Sequence, residues 1–190
     1  KELPFQNVEQ LVAHANANPG KLFYGSAGVG ASNHLSGELL GSVTGTKLTH
    51  VPYKGNAPAM TDVIGGQLSM MFDITSTART FVQSGRVRAL AVTSRERNAA
   101  LPDVPTMREA GLPGYEVIGW YGIYGPARLS PELVGKLNAA VNKALADPGL
   151  RKQWMEQGYD LWVGSPEVLA AQQKRDSEMW PGVTRGITID

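Results

Sequence analysis

The residues best suited to hold a ligand lie in Gly25-Ser26-Ala27-Gly28-Val29-Gly30-Ala31-Ser32-Asn33-His34, a run of small and polar side chains between two apolar patterns. Leu22-Phe23-Tyr24 reads as a short buried strand, and Leu35, Leu39 and Val43 recur every fourth residue, so a helix starts within the glycines. A helix start leaves backbone N–H groups without intrahelical partners and carries roughly half a positive charge, which suits a carboxylate or phosphate. Glycines let the backbone approach a ligand closely, and Ser26, Ser32 and Asn33 add polar groups. A helix cap at a corner uses the same residues, and on these residues alone both readings stand.

Two further stretches sit where a strand gives way to a helix: Tyr53-Lys54-Gly55-Asn56, and Asp73 with Thr75 and Ser76 behind it. In an open parallel sheet ligands bind beyond the carboxyl ends of the strands, so all three are expected to converge. Lys54 is the one cation among them and can pair with an anion or stay solvated; Tyr53 can close over a small ligand or simply pack. The dinucleotide pattern fails: the order is Gly25-x-x-Gly28-x-Gly30, Asn33 stands third after Gly30, and no acid lies between Glu38 and Asp62. No phosphate-loop motif occurs. A triad drawn from Ser26, His34 and Asp73 lacks the G-x-S-x-G elbow, and His14, His34 and His50 lack metal-ligand spacing, so neither catalysis, a metal nor a cofactor is expected.

The elements that must position these residues alternate strand and helix. A helix capped by Asn7 precedes the first strand, with Gln10 three positions on and Val8, Leu11, Val12 and Ala15 on one face. Residues 48–52 form a second strand. A helix capped by Asn56 follows, and the nearly all-apolar residues 68–72 read as a central strand. A helix from Thr75 or Ser76 to Val82, a buried strand over 87–92 and a short helix over 107–110 come next. Residues 116–124 are strand-like, bent at Gly119 and Gly122. Ser130-Pro131-Glu132, Asp147-Pro148 and Ser165-Pro166-Glu167 each open a helix with cap and proline in their preferred order. Residues 161–163 make a strand, and the last helix kinks or ends near Trp180-Pro181-Gly182.

With 190 residues, 18 Lys plus Arg against 17 Asp plus Glu, and no cysteine, the chain can bury a substantial core. It offers no basic run for nucleic acid and no thiol chemistry. No apolar run reaches the roughly 18 residues of a membrane span. Lys1-Glu2-Leu3-Pro4 reads as mid-chain sequence, so a processed or truncated chain is expected.

The stretch Tyr24 to Leu35 closely resembles a loop of the tripartite tricarboxylate transporter receptors, the periplasmic solute-binding proteins of the Bug family. Segments agreeing in order and spacing are His50-Val51-Pro52-Tyr53-Lys54-Gly55, Gly65-Gly66-Gln67 through Met71-Phe72-Asp73, Arg88-Ala89-Leu90-Ala91-Val92-Thr93-Ser94, Leu101-Pro102-Asp103-Val104-Pro105-Thr106, Glu109-Ala110-Gly111, and the helix beginning near Leu137-Asn138. The resemblance implies an α/β fold of the type II periplasmic-binding-protein class, a two-lobed sandwich with a central mixed sheet. One lobe would be nearly complete (residues 1–117) and the other partial (residues 118–190). It implies capture of a small organic carboxylate in the periplasm for a membrane permease, through a loop carrying Ser26, Ala27, Gly28, Gly30, Ser32 and His34, with Tyr53, Lys54 and Asp73 nearby. The family's N-terminal portion, with the opposing loop, is not in this sequence, which makes dimerisation an expectation for a truncated chain. A sensor kinase is a further partner under a signalling reading. The alternative from the residues is an α/β enzyme binding a phosphorylated or nucleotide ligand at residues 25–32.

Overall fold

The computed structural model describes residues 3–184; Lys1 and Glu2, on which the mid-chain reading rests, and residues 185–190, the end of the expected second region, lie outside them. Three strands, β1 (Phe23–Ser26), β2 (Thr49–Pro52) and β3 (Met70–Met71), form a sheet in the order β2-β1-β3. Both pairings are parallel: Phe23 to Ser26 stand opposite Thr49 to Pro52, and Tyr24 and Gly25 opposite Met70 and Met71. Parallel strands need a crossover between them. These are supplied by α2 (Ser32–Thr44) and α3 (Asn56–Ile64), while α1 (Val8–Ala17) precedes the sheet and α4 (Thr75–Gln83) follows it.

The N-terminal helix has the cap its sequence promised: Asn7 accepts the Gln10 amide, and Gln10 Oε1 accepts the Gln6 amide at 2.8 Å. Its face of Val8, Leu11 and Ala15 joins Phe5, Leu22, Leu39, Leu40, Met107, Tyr115 and Val117 in one core. Close approach of α2 to β1 depends on Gly37, where an added Cβ would stand 2.2 Å from the ring of the fully buried Tyr24. Val117 is the last buried residue of the described chain. Beyond it, α5 (Pro131–Leu145), α6 (Pro148–Glu156) and α7 (Pro166–Val183) contain no buried residue. Trp180 and Val183 of α7 reach back to the edge of the core, and the end of α6 touches α4 and its surroundings through Tyr159–Ser76 at 2.8 Å, Gly158–Asn98 at 3.0 Å and Arg79 on the Glu156 carbonyl.

Several expectations are corrected. Residues 68–72 give a two-residue edge strand, not a central one; the centre is β1, whose small residues Gly25 and Ser26 let neighbours close on both sides. The sheet is parallel throughout, so the expected mixed pairing does not occur among the described residues. Residues 87–92 contribute only a single bridge, from Val92 to Thr106, and residues 161–163 pair with nothing described. Residues 116–124 are likewise extended without a ladder, and residues 107–110 turn without forming a helix. An extended run becomes a strand only when a second strand takes its N–H and C=O groups. Gly55, at φ 114, is the cap residue of α3 and Asn56 its first helical residue; Ile74 holds the same place for α4. Pro181 lies inside α7, which ends two residues later. Among the described residues no helix is long and apolar enough to cross a membrane.

Candidate functional site

The three stretches do converge. Ser26 ends β1 directly opposite Pro52 at the end of β2, and the pairing runs on into the loops through Tyr53 N–H to Ser26 O at 3.0 Å and Gly55 N–H to Ala27 O at 3.2 Å. Asp73 lies just beyond β3. A chain of side-chain amides then ties the three loops together. Asn33 Oδ1 accepts the Ala27 amide at 3.1 Å, Asn33 Nδ2 donates to Asn56 Oδ1 at 2.9 Å, and Asn56 Nδ2 donates to Asp73 Oδ1 at 2.6 Å. The chain ends at a carboxylate whose oxygens also accept the Ile74 amide and the Thr77 hydroxyl, at 2.9 and 2.7 Å. Both Asp73 oxygens are therefore engaged inside the protein.

Behind the loop sits a histidine pair. Ser26 Oγ is 2.6 Å from His50 Nε2, and the His50 ring stacks on His34 with centroids 3.8 Å apart and planes 16° from parallel. Gly30 donates its N–H to His34 Nδ1 at 3.0 Å, so that nitrogen carries no proton and the ring proton is on Nε2. His34 Nε2 faces Glu38 Oε1 at 3.6 Å, and the same oxygen accepts the Tyr24 hydroxyl at 2.6 Å. Burial pushes the His34 pKa down against the pull of Glu38. Burial, then the neighbouring His34, lower His50 to about 4, with Glu38 opposing. Burial raises the Tyr24 hydroxyl, and the Glu38 carboxylate adds to the effect.

The loop's backbone differs from a bare helix start. The amides expected to stand open are in part taken: Ala27 by Asn33, Gly28 by Ser26 Oγ at 3.1 Å, and Gly30 by His34. Left-handed φ values at Gly28 (141°) and Gly30 (78°) turn these groups inward, a conformation that favours glycine. The amides of Val29, Ser32 and Asn33 have no acceptor among the described residues. Ala31, the cap residue of α2, has no side-chain oxygen to cover them.

Of the nine candidate residues, Ser26 and His34 are buried, at 0% and 3% exposure, and face inward. Ala27, Gly28 and Gly30 form the half-buried wall of the loop, while Ser32 and Lys54 are exposed at its rim. Tyr53 is half-buried and gives its hydroxyl to Asp62 at 2.6 Å, which raises its pKa. The structure thus brings all nine into one neighbourhood but turns Ser26, His34 and Asp73 away from its open side. The triad of Ser26, His34 and Asp73 does not assemble, since Ser26 pairs with His50 and Asp73 with Asn56, Ile74 and Thr77. The sequence weighs His50 only as a metal ligand and Asn56 only as a cap; their side-chain partners lie 24 and 17 positions away. A surface hollow lined by Gly37, Glu38, Gly41 and Lys47 follows the middle of α2 rather than its start, so concavity alone does not mark the loops.

A sequence profile described as "Tripartite tricarboxylate transporter family receptor" matches residues 1–181. The UPF0065 protein of the tcbD-tcbE intergenic region of Pseudomonas sp. (strain P51) is 43% identical over 177 residues, covering 93% of this chain and 53% of that protein. The structure of R. palustris Rpa4515 with adipate superposes with a TM-score of 0.89 at 34% identity, over 97% of this chain and 62% of that one. Periplasmic binding protein BugD gives 0.85 at 35% identity, over 98% and 64%. The chain therefore spans about half the length of the curated relative and under two thirds of either solved chain.

Proposed function

Because the chain belongs to the tripartite tricarboxylate transporter receptor family, we propose that it binds a small organic carboxylate at the loop that opens α2 and hands it to the membrane permease of such a transporter. The observation carrying this reading is the set of amides at Val29, Ser32 and Asn33 that have no acceptor among the described residues, at the sheet's carboxyl edge beside the Asn33–Asn56–Asp73 chain. Unpaired N–H groups at a helix start attract an anion, and the macrodipole adds to them. Lys54 at the rim adds a cation to the approach. Ala27, Gly28 and Gly30 shape the wall, Ser26 holds the Gly28 amide from within, and Ser32 offers a hydroxyl at the rim. Similarity to an adipate-bound structure and to a periplasmic binding protein supports both the ligand class and a periplasmic location.

The family is one of solute-binding receptors, and we read this chain as acting without catalysis. The enzyme alternative is not favoured: the glycine spacing is not that of a dinucleotide site and the drawn triad does not form. The assignment of residues 1–117 to one lobe and 118–190 to part of another draws support from the core's end at Val117. Two further expected partners, a second copy of the chain and a sensor kinase, are tested by sedimentation and by pull-down with a kinase ectodomain.

Calorimetric titration with adipate, succinate, citrate, glutamate, aspartate and nicotinate tests the reading, and silence with all six would overturn it. Among variants, Gly28→Val forces a branched side chain into φ 141 and is expected to weaken binding more than tenfold, Ser26→Ala about tenfold, and Lys54→Ala about threefold. Equal affinities in all three would remove this loop from the site.

A further inference from the structure

We propose that His34 is a positioning residue of this site: by holding the Gly30 amide inward on Nδ1 it determines that Val29, Ser32 and Asn33 are the amides left to receive a carboxylate. The inference rests on the carboxylate reading above and adds to it a residue that never meets the ligand. With 3% exposure and its ring flat against His50, His34 has no route to solvent on the loop's open side. Its contact with the loop is the 3.0 Å bond from Gly30. That bond exists only while Nδ1 is unprotonated, because a second ring proton would set a donor against a donor. Among the described residues the Gly30 amide has no other acceptor. Rotating Gly30 outward moves the helix start that carries Ser32 and Asn33.

The groups that face the pair are His50 from β2, Tyr24 from β1, Glu38 one turn along α2, and, beyond Tyr24, Tyr115, whose hydroxyl donates to Ser36 O at 2.7 Å. Glu38 is the single carboxylate among them and is already committed to the Tyr24 hydroxyl. Burial lowers the His34 pKa below its ordinary 6.5, and His50, stacked 3.8 Å away, is lowered further. The sign follows: the Gly30 bond is complete at and above pH 6.5 and is lost as pH falls through the lowered His34 value.

Two measurements on the protein at its natural length test this. Without ligand, amide exchange followed by ¹⁵N NMR and corrected for intrinsic rates should show Gly30 protected at pH 7, and protection should fall about tenfold as His34 titrates. With adipate and succinate as probes, affinity should decline as pH falls from 6.5 through the lowered His34 value more steeply in the wild type than in His34→Asn. That side chain places an acceptor near the position of Nδ1 but cannot titrate, so its residual slope is that of the acid itself. At pH 8, His34→Asn should bind about threefold more weakly and His34→Gln, with its acceptor out of reach of Gly30, about tenfold. An unprotected Gly30 at pH 7, or identical pH profiles for the wild type and His34→Asn, would overturn the proposal. If neither acid binds, the carboxylate reading fails, and the exchange measurement still decides whether His34 holds the loop.

Discussion

The helices α2 and α5 reverse the usual relation between local signals and anchoring. The α5 helix has everything a sequence can offer a helix. Ser130 Oγ caps the Leu133 amide, Pro131 takes the first position, Glu132 sits in the first turn and Lys143 in the last, yet no residue of it is buried. The α2 helix has no side-chain cap, no acid in its first turn and no base in its last, and buries Asn33, His34, Ser36, Gly37, Leu39 and Leu40. Local grammar therefore settles where a helix forms, and packing settles what it is fixed to. The uncapped start of α2 is the place where an anion is proposed to bind, and on that proposal the missing cap leaves backbone amides for the ligand.

Matched substitutions in the two helices sharpen this contrast. The largest effect is expected from Leu40→Ala, which opens a cavity at a side chain 2% exposed and should cost about 3 kcal/mol, whereas Leu137→Ala, at 50% exposure, should cost well under about 1 kcal/mol. Urea denaturation curves for the two variants measure the difference, and equal shifts would break the comparison. Gly37→Ala comes next. Its Cβ meets the Tyr24 ring at 2.2 Å, where a helix preference of about 1 kcal/mol is overcome by overpacking, for a net loss of about 2 kcal/mol. Gly135→Ala meets nothing within 4 Å and should stabilise by about 0.5 to 1 kcal/mol, so the two melting temperatures should move in opposite directions.

The smallest pair concerns the caps. Ser130→Ala should cost about 1 kcal/mol by leaving the Leu133 amide bare. Ala31→Ser should gain up to about 1 kcal/mol in thermal stability by covering the Asn33 amide, and should weaken carboxylate affinity measured by calorimetry for the same reason. A gain in stability with unchanged affinity would show that this amide is not part of the ligand's seat.

Much of the first half of this architecture was legible. The Asn7 cap with Gln10, the strand before the glycines, the second strand ending at Pro52 and the Gly65 stop of α3 all follow from residues within four or five positions of one another. The openings of α5 and α6 were equally plain. What misled was extended sequence: residues 87–92 and 161–163 have apolar, branched side chains but no described neighbour to take a ladder, and a side-chain pattern carries no record of its partner. At the candidate site the neighbourhood was legible and the orientation was not. Ser26 and His34 look like ligand groups in a string, whereas their directions come from His50 and Gly30 in the folded turn. Asp73 reads as a charge at a strand end, and only the positions of Asn56 and Thr77 show it turned inward.

The amide chain from Asn33 through Asn56 to Asp73 also limits how this sequence can drift. Replacing one member leaves a half-buried donor or acceptor without its mate in a neighbouring loop, so a single change is penalised where a compensated set of changes is not. These positions, 23 and 17 residues apart along the chain, should therefore be inherited as one character, with substitutions appearing together across descendants rather than one at a time.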